Sequence, residues 1–162
     1  MTSNDHKLSP ITGELIMGLD MYLSAEKYIY ENATEVKNVL AKIGFDTKDK
    51  EVKTIGVNIM QWRKANQIHR WFVENIQSYE DDCKRYFVDI ESLNTLVSLC
   101  KKVSLNHSLA KELLPTQEGF FFGSYDYDDM YFFDIQETLG TLEPLLQDKN
   151  WLNWDFYYQS SW

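Results

Sequence analysis

What this chain can become is limited first by how its strand-like and helix-like segments interleave. "GLDMYLSAEKYIY" (18–30) sets Leu19, Met21 and Leu23 at period two, the repeat of a strand with one apolar face. "VKTIGVNIMQW" (52–62) is β-branched and apolar and predicts a second strand, and Tyr86–Val88 a short third. The closing "WDFYYQSSW" alternates, with Phe156 and Tyr158 opposing Tyr157 and Gln159, and "GFFFG" (119–123) reads as a glycine-bounded aromatic strand. Helical patterns lie between. Val36, Val39, Leu40 and Ile43 recur at helical spacing before Gly44, and a second helix is expected from about 63 to 77. Asp89 or Ser92 can cap a third, striped by Leu93, Leu96, Val97 and Cys100, and a turn or two over 105–114 ends at Pro115. The longest pattern, 127–148, aligns Ile135, Leu139, Leu142 and Leu146, with Pro144 straining its last turns. Strict βαβ spacing and a glycine-rich phosphate loop are both missing. The expectation is one α+β domain over 17–162, an antiparallel or mixed sheet packed with about four helices, after a loosely held arm at 1–16.

A chain of 162 residues can bury a genuine core, but 5 Trp, 10 Tyr and 9 Phe are more than one core readily absorbs. Some aromatics should therefore line a groove or interface. With 16 Lys+Arg against 25 Asp+Glu, the net charge of -9 argues against direct nucleic-acid or anionic-membrane binding. No apolar run approaches a membrane span, and "MTSNDHKLSPITGELI" lacks the basic flank and apolar core of a signal peptide. Cys83 and Cys100 form no disulfide or zinc pattern, so a reducing, cytosolic setting is expected.

The densest chemistry is in "WRKANQIHRWF" (62–72). At about 100° per residue, Trp62, Ala65, Ile68, Phe72, Val73 and Ile76 share one arc. His69 falls near its middle and Asn66 at its edge. Arg63, Gln67, Arg70 and Glu74 form a polar stripe beside it, and Trp71 points to the wet side. Two readings follow. His69 and Asn66 are core groups hydrogen-bonded to a neighbouring strand, or they floor a pocket at which Arg63 or Arg70 offers a charged fork.

"LLPTQEGFFFGSYDYDD" (113–129) is the second such segment. It is either a buried strand with ordinary turns, or a loop–strand–loop presenting Gln117, Glu118 and Tyr125 over an aromatic wall. Asp126, Asp128, Asp134 and Glu137 mimic calcium-loop spacing, but Met130 and Tyr131 stand at the fifth and sixth positions, where an oxygen ligand and a turn glycine are required. Asp126 to Asp129 are better suited to start a helix. His6, His69 and His107 are scattered, no serine has a nucleophile-elbow context, and Cys83 lacks an identifiable base partner. No metal or cofactor is called for.

"MGLDMYLSAEKY", "WRKANQIHRWF", "DDC", "LLPTQEGFFFGS" with "YDYDDMY", and "DFYYQSSW" together resemble a family of small proteins encoded by bacteriophages and prophages. Its members begin at MGLDMYL, here Met17, and the resemblance runs from Met17 to Trp162; residues 1–16 depart from it. It implies a viral setting, in the cytoplasm of an infected bacterium, and no mechanism. A phage accessory protein that counters a bacterial defence is the expectation drawn from that context. Three modes are open. The first is sequestration of a nucleotide-type molecule by Arg63, Asn66, His69, Arg70 and Trp71, with Gln117, Glu118 and Tyr125 as a second wall. The second is an acidic inhibitor, a DNA mimic, of a host nuclease or CRISPR complex through Glu80, Asp81, Asp82, Asp126, Asp128 and Asp129. The third is a small nucleotide- or NAD-directed enzyme with His69 or Glu118 as acid–base group. Trp71 and the terminal "SSW" also suit a homo-oligomer.

Overall fold

Four antiparallel strands form one sheet in the order β2-β1-β4-β3. They are β1 (Asp20–Tyr28), β2 (Thr54–Arg63), β3 (Tyr86–Val88) and β4 (Asp155–Ser161). The computed structural model describes residues 18–29, 33–46, 48 and 50–162; the arm expected at 1–16, and Met17, lie outside them. Among the described residues, five α-helices complete the α+β domain: α1 (Ala33–Lys42), α2 (Asn66–Asn75), α3 (Ile90–Leu105), α4 (Ala110–Leu113) and α5 (Asp129–Gln147). Short 3-10 turns at His107–Leu109 and Lys149–Trp151 precede α4 and β4.

Period two in the sequence becomes the two faces of the sheet. Leu19, Met21, Leu23 and Ala25 are buried with Phe156, Tyr158 and Val88. Met21 pairs with Trp62 and Leu23 with Tyr158, so the central strands present one continuous apolar surface. Against it pack Ile68 and Phe72 of α2, Leu93, Leu96 and Cys100 of α3, and Ile135 and Leu142 of α5. Phe72 lies flat on Tyr158, ring centroids 3.8 Å apart and planes 7° from parallel. On the far face Arg85 pairs with Glu26 at 2.7 Å and lies 3.8 Å above the Tyr157 ring. A bulge between Leu23 and Ser24 shifts the β1–β2 register.

Two of the helix starts, those of α3 and α5, follow capping chemistry. Asp89 accepts from the Ser92 N–H at 2.7 Å to begin α3, and Asp128 accepts from the Tyr131 N–H at 3.0 Å to begin α5. α5 runs on through Pro144.

Three expectations need correction. Arg63 ends β2 instead of opening a helix, because its ladder with Asp20 continues that far. "GFFFG" is a turn: Phe120 is 93% exposed while Phe122 is buried, and the Phe121 carbonyl accepts from the Leu19 N–H at 3.2 Å. Trp71 is inside, only 5% exposed, because α2 is enclosed on nearly every side; Asn66, Gln67, Ile68, His69, Phe72 and Val73 are buried with it. The case for an oligomer built on an exposed Trp71 lapses with it. The helical spacing of Val39 and Ile43 marks no buried face: Val39 is exposed on α1 and Ile43 is exposed in the turn after it.

The two ends of the aromatic turn should therefore respond unequally. Phe122→Ala is expected to destabilise by about 3 kcal/mol, whereas Phe120→Ala should stay within about 0.5 kcal/mol of the parent. Urea unfolding of both variants checks this, and equal losses would contradict the turn.

Candidate functional site

The polar residues of α2 divide into two groups: one bonds to the chain itself and the other opens onto a cleft. Asn66 and His69 belong to the first. The Asn66 amide donates to the carbonyls of Phe122 (2.9 Å) and Ser124 (2.8 Å), and its oxygen accepts from the Gln117 N–H at 3.1 Å. Arg70 donates to the Thr116 carbonyl at 3.1 Å and pairs with Glu74 at 2.6 Å. Tyr125 donates to the Gly119 carbonyl at 2.8 Å, closing the loop on itself. Asn66, Arg70, Gln117 and Tyr125 thus fasten the 116–125 loop, and Glu118 is exposed on it.

His69 is sealed at 0% exposure between two partners: Nε2 lies 2.9 Å from an Asp81 carboxylate oxygen and Nδ1 2.8 Å from the Tyr158 hydroxyl. One proton arrangement satisfies all three groups, with Nε2–H donating to Asp81 and the Tyr158 O–H donating to Nδ1. Trp162 Nε1 donates to the other Asp81 oxygen at 3.0 Å. Burial pushes the Asp81 carboxyl up, but the hydrogen bonds from His69 and Trp162 hold it below the ordinary value. Burial drives the Tyr158 phenol well above its own. Phe122 meets the His69 ring edge-on at 5.2 Å. Sealed in this way, His69 cannot reach a substrate, and its chain with Asp81 and Tyr158 is a buried polar pin.

The second group borders a cleft of about 390 Å³, within the range of small-ligand sites. Arg63 and Lys64 supply its positive charge from the end of β2 and the turn after it. Asp126, Asp128 and Asp134 supply negative charge from the loop before α5 and from α5 itself. Gln67 and Ser124 add polar groups, and Met130 and Tyr131 an apolar wall. Trp62 Nε1 donates to Thr138 Oγ1 at 2.7 Å, and that hydroxyl donates to the Asp134 carbonyl at 2.7 Å, so β2 and α5 are tied together beneath the cleft.

Two residues in left-handed backbone meet at this cleft. Lys64 has φ +60° and Gly123 φ +89°, and a Cβ on Gly123 would come within 3.0 Å of the Lys64 Cβ. Glycine alone permits that approach without displacing Lys64.

Asp134 is the chemically distinctive member. Burial pushes its carboxyl up to about 6; the Gln67 hydrogen bond opposes this and the Asp128 charge adds to it. Among the described residues its carboxylate receives one hydrogen bond, a long one of 3.3 Å from Gln67 Nε2, which also reaches the Tyr131 carbonyl at 3.4 Å.

Of the residues singled out in the sequence, Arg63, Asp126 and Asp128 line the cleft, and Asn66, His69, Arg70, Trp71, Gln117, Glu118 and Tyr125 do not. Lys64, Gln67, Met130, Tyr131 and Asp134 were missed. Asp134 was noticed only as a failed calcium ligand, and the one signal that could have flagged it is a carboxylate within an otherwise apolar helical stretch, "MYFFDI". In the acidic set, Asp81 is held by His69 and Trp162, Asp82 by Lys84 and Tyr86, and Asp128 by its cap, while Glu80 and Asp129 are exposed.

Compared with protein-family models, curated proteins and solved structures, the chain matches none of them. Among the described residues, no helix is long and apolar enough to cross a membrane.

Two stability measurements separate the pin from the cleft. His69→Ala strands both Asp81 and the Tyr158 hydroxyl and should destabilise by about 3 kcal/mol or more, against about 1 kcal/mol for Tyr158→Phe. Asp134 should behave oppositely. Because its folded-state value is raised, its contribution to stability is complete below the ordinary 3.8 and is lost as pH rises through about 6. Asp134→Asn should therefore stabilise at pH 7.5 by on the order of 1 kcal/mol, after discounting for solvent screening, and by nothing near pH 3.5. Denaturant curves at the two pH values check the sign.

Proposed function

We propose that this protein binds and sequesters a nucleotide-type small molecule in the cleft between the β2–α2 junction and α5, as a phage accessory protein countering a bacterial defence. The observation that carries the binding reading is the charge layout of the cleft. Arg63 and Lys64 offer an anion two cationic groups, Asp134 and Gln67 offer hydrogen bonds to a polar edge, and Met130 and Tyr131 offer a flat ring an apolar wall. A nucleotide carries all three features on one small frame. The viral setting is supported by the sequence words from "MGLDMYL" to "YYQSSW". The ligand-facing set differs from the one expected on α2, because Asn66 and His69 are spent on the fold.

One observation favours a second reading. A carboxyl brought to about 6 beside a cleft is poised to exchange protons near neutral pH, so Asp134 is the acid–base group of a nucleotide- or NAD-directed enzyme if turnover exists. The acidic-inhibitor reading gains less, since Asp81 and Asp82 are engaged within the chain.

Calorimetric titration of the whole chain with mononucleotides, cyclic nucleotides and NAD should give saturable heat with at least one of them, and chromatography should return that ligand unchanged. Met130→Trp, which fills the cleft from an exposed position, should abolish the heat without lowering Tm. Silence across the panel would overturn the binding reading, and a new product would move the assignment to the enzyme.

A further inference from the structure

We propose that the cleft selects a guanine-type base, whose ring N–H and exocyclic amine donate together to the Asp134 carboxylate while Arg63 and Lys64 face the phosphate. This rests on the nucleotide reading above and specifies its ligand.

The starting point is a carboxylate with unused acceptor capacity. An ionised aspartate has room for about four hydrogen bonds, and the Asp134 side chain receives one long one, from Gln67. It stands on α5 beside the cleft, half-buried, where a ligand can supply what water supplies only in part. The other charged or titratable groups bordering the cleft are Arg63 on β2, Lys64 after it, Asp126 and Asp128 on the loop, and Tyr131 on α5. Among the described residues no ion pair reaches the Asp134 carboxylate; Arg63 lies 3.8 Å from Asp20, and the Lys64 Cβ abuts Gly123.

Base chemistry then decides. Guanine carries two adjacent donors, N1–H and the 2-amino group, which match the two oxygens of one carboxylate in a charge-assisted pair. Adenine sets an acceptor, N1, beside its amine, so one carboxylate oxygen would meet a lone pair. Cytosine has the same defect at N3, and uracil flanks its single N–H with carbonyls. Guanine also places O6 next to N1–H, within the sweep of the Gln67 amide, whose present bonds of 3.3 and 3.4 Å are weak and easily exchanged. A site built to accept from a donor rejects analogues that lack it far more strongly than a shape-selective pocket does.

The test uses the whole chain, with GMP, IMP and AMP as probes in calorimetry at pH 7.5. IMP differs from GMP only by the missing 2-amino group. GMP should bind at least tenfold more tightly than either, and Asp134→Asn should bring GMP to the IMP level. Arg63→Ala with Lys64→Ala should weaken all three by a similar factor. GMP binding should also weaken as pH falls through about 6 by more than AMP binding, whose phosphate protonates in the same range, and Asp134→Asn should remove that excess. Because Asp134→Asn is expected to fold at least as stably as the parent, its loss of binding cannot be ascribed to unfolding. Equal affinities for GMP and AMP, or an indifferent Asp134→Asn, would overturn guanine selection and leave nucleotide capture standing. No heat with any probe or with the wider panel would remove both.

Discussion

The carboxamide of Asn66 is the fixed point of this molecule. Its three hydrogen bonds reach the Phe122 and Ser124 carbonyls and the Gln117 N–H, so one side chain on α2 holds the 116–125 loop at three points. An amide buried to 1% exposure requires such partners, and the loop's inward main-chain groups require them equally. The mutual need orders a segment with no ladder of its own. With the loop in place, Gly123 rests on Lys64 and Ser124 forms part of the cleft wall. The cleft is thus a consequence of a structural bond made on its far side.

The same loop closes the buried pin. Phe122 of the loop meets the His69 ring edge-on, Asp81 holds His69 and Trp162, and His69 meets Tyr158, which stacks on Phe72. Four of the sequence words that carry the phage resemblance converge here: the α2 word, "DDC", the "LLPTQEGFFFGS" word and the C-terminal strand. Buried polar networks specify geometry when every member is satisfied, and these words therefore encode a shape before they encode a ligand contact. Asp134 stands in contrast. It is half-buried with one long hydrogen bond among the described residues and so opposes folding when ionised, the usual mark of a group retained for a task other than stability.

Much of the architecture was legible because it is local. The alternation at Leu19, Met21 and Leu23 and at Phe156 and Tyr158 could place those residues on only one face of a strand, and Asp89 and the 126–129 aspartates marked helix starts by chemistry that acts within one turn. "GFFFG" misled because three phenylalanines satisfy strand propensity, while the glycines beside them permit the turn that Asn66 and Leu19 in fact hold. Trp71 misled because a helical wheel assumes a wet side, and α2 scarcely has one.

The chain's own order of residues determined the α+β class, the strand faces, the helix caps and the presence of polar groups on α2, since each depends on neighbours within a few residues. Tertiary structure alone decided which of those groups face inward and which face a cavity. Asn66 and Gln67 are adjacent and both buried, yet one ties down a loop and the other borders the cleft. The difference comes from segments about fifty residues or more away, Gln117 to Ser124 for the first and Tyr131 to Asp134 for the second. A side chain's partner across such a separation is set by packing the sheet, α2 and α5 together, which no local pattern records.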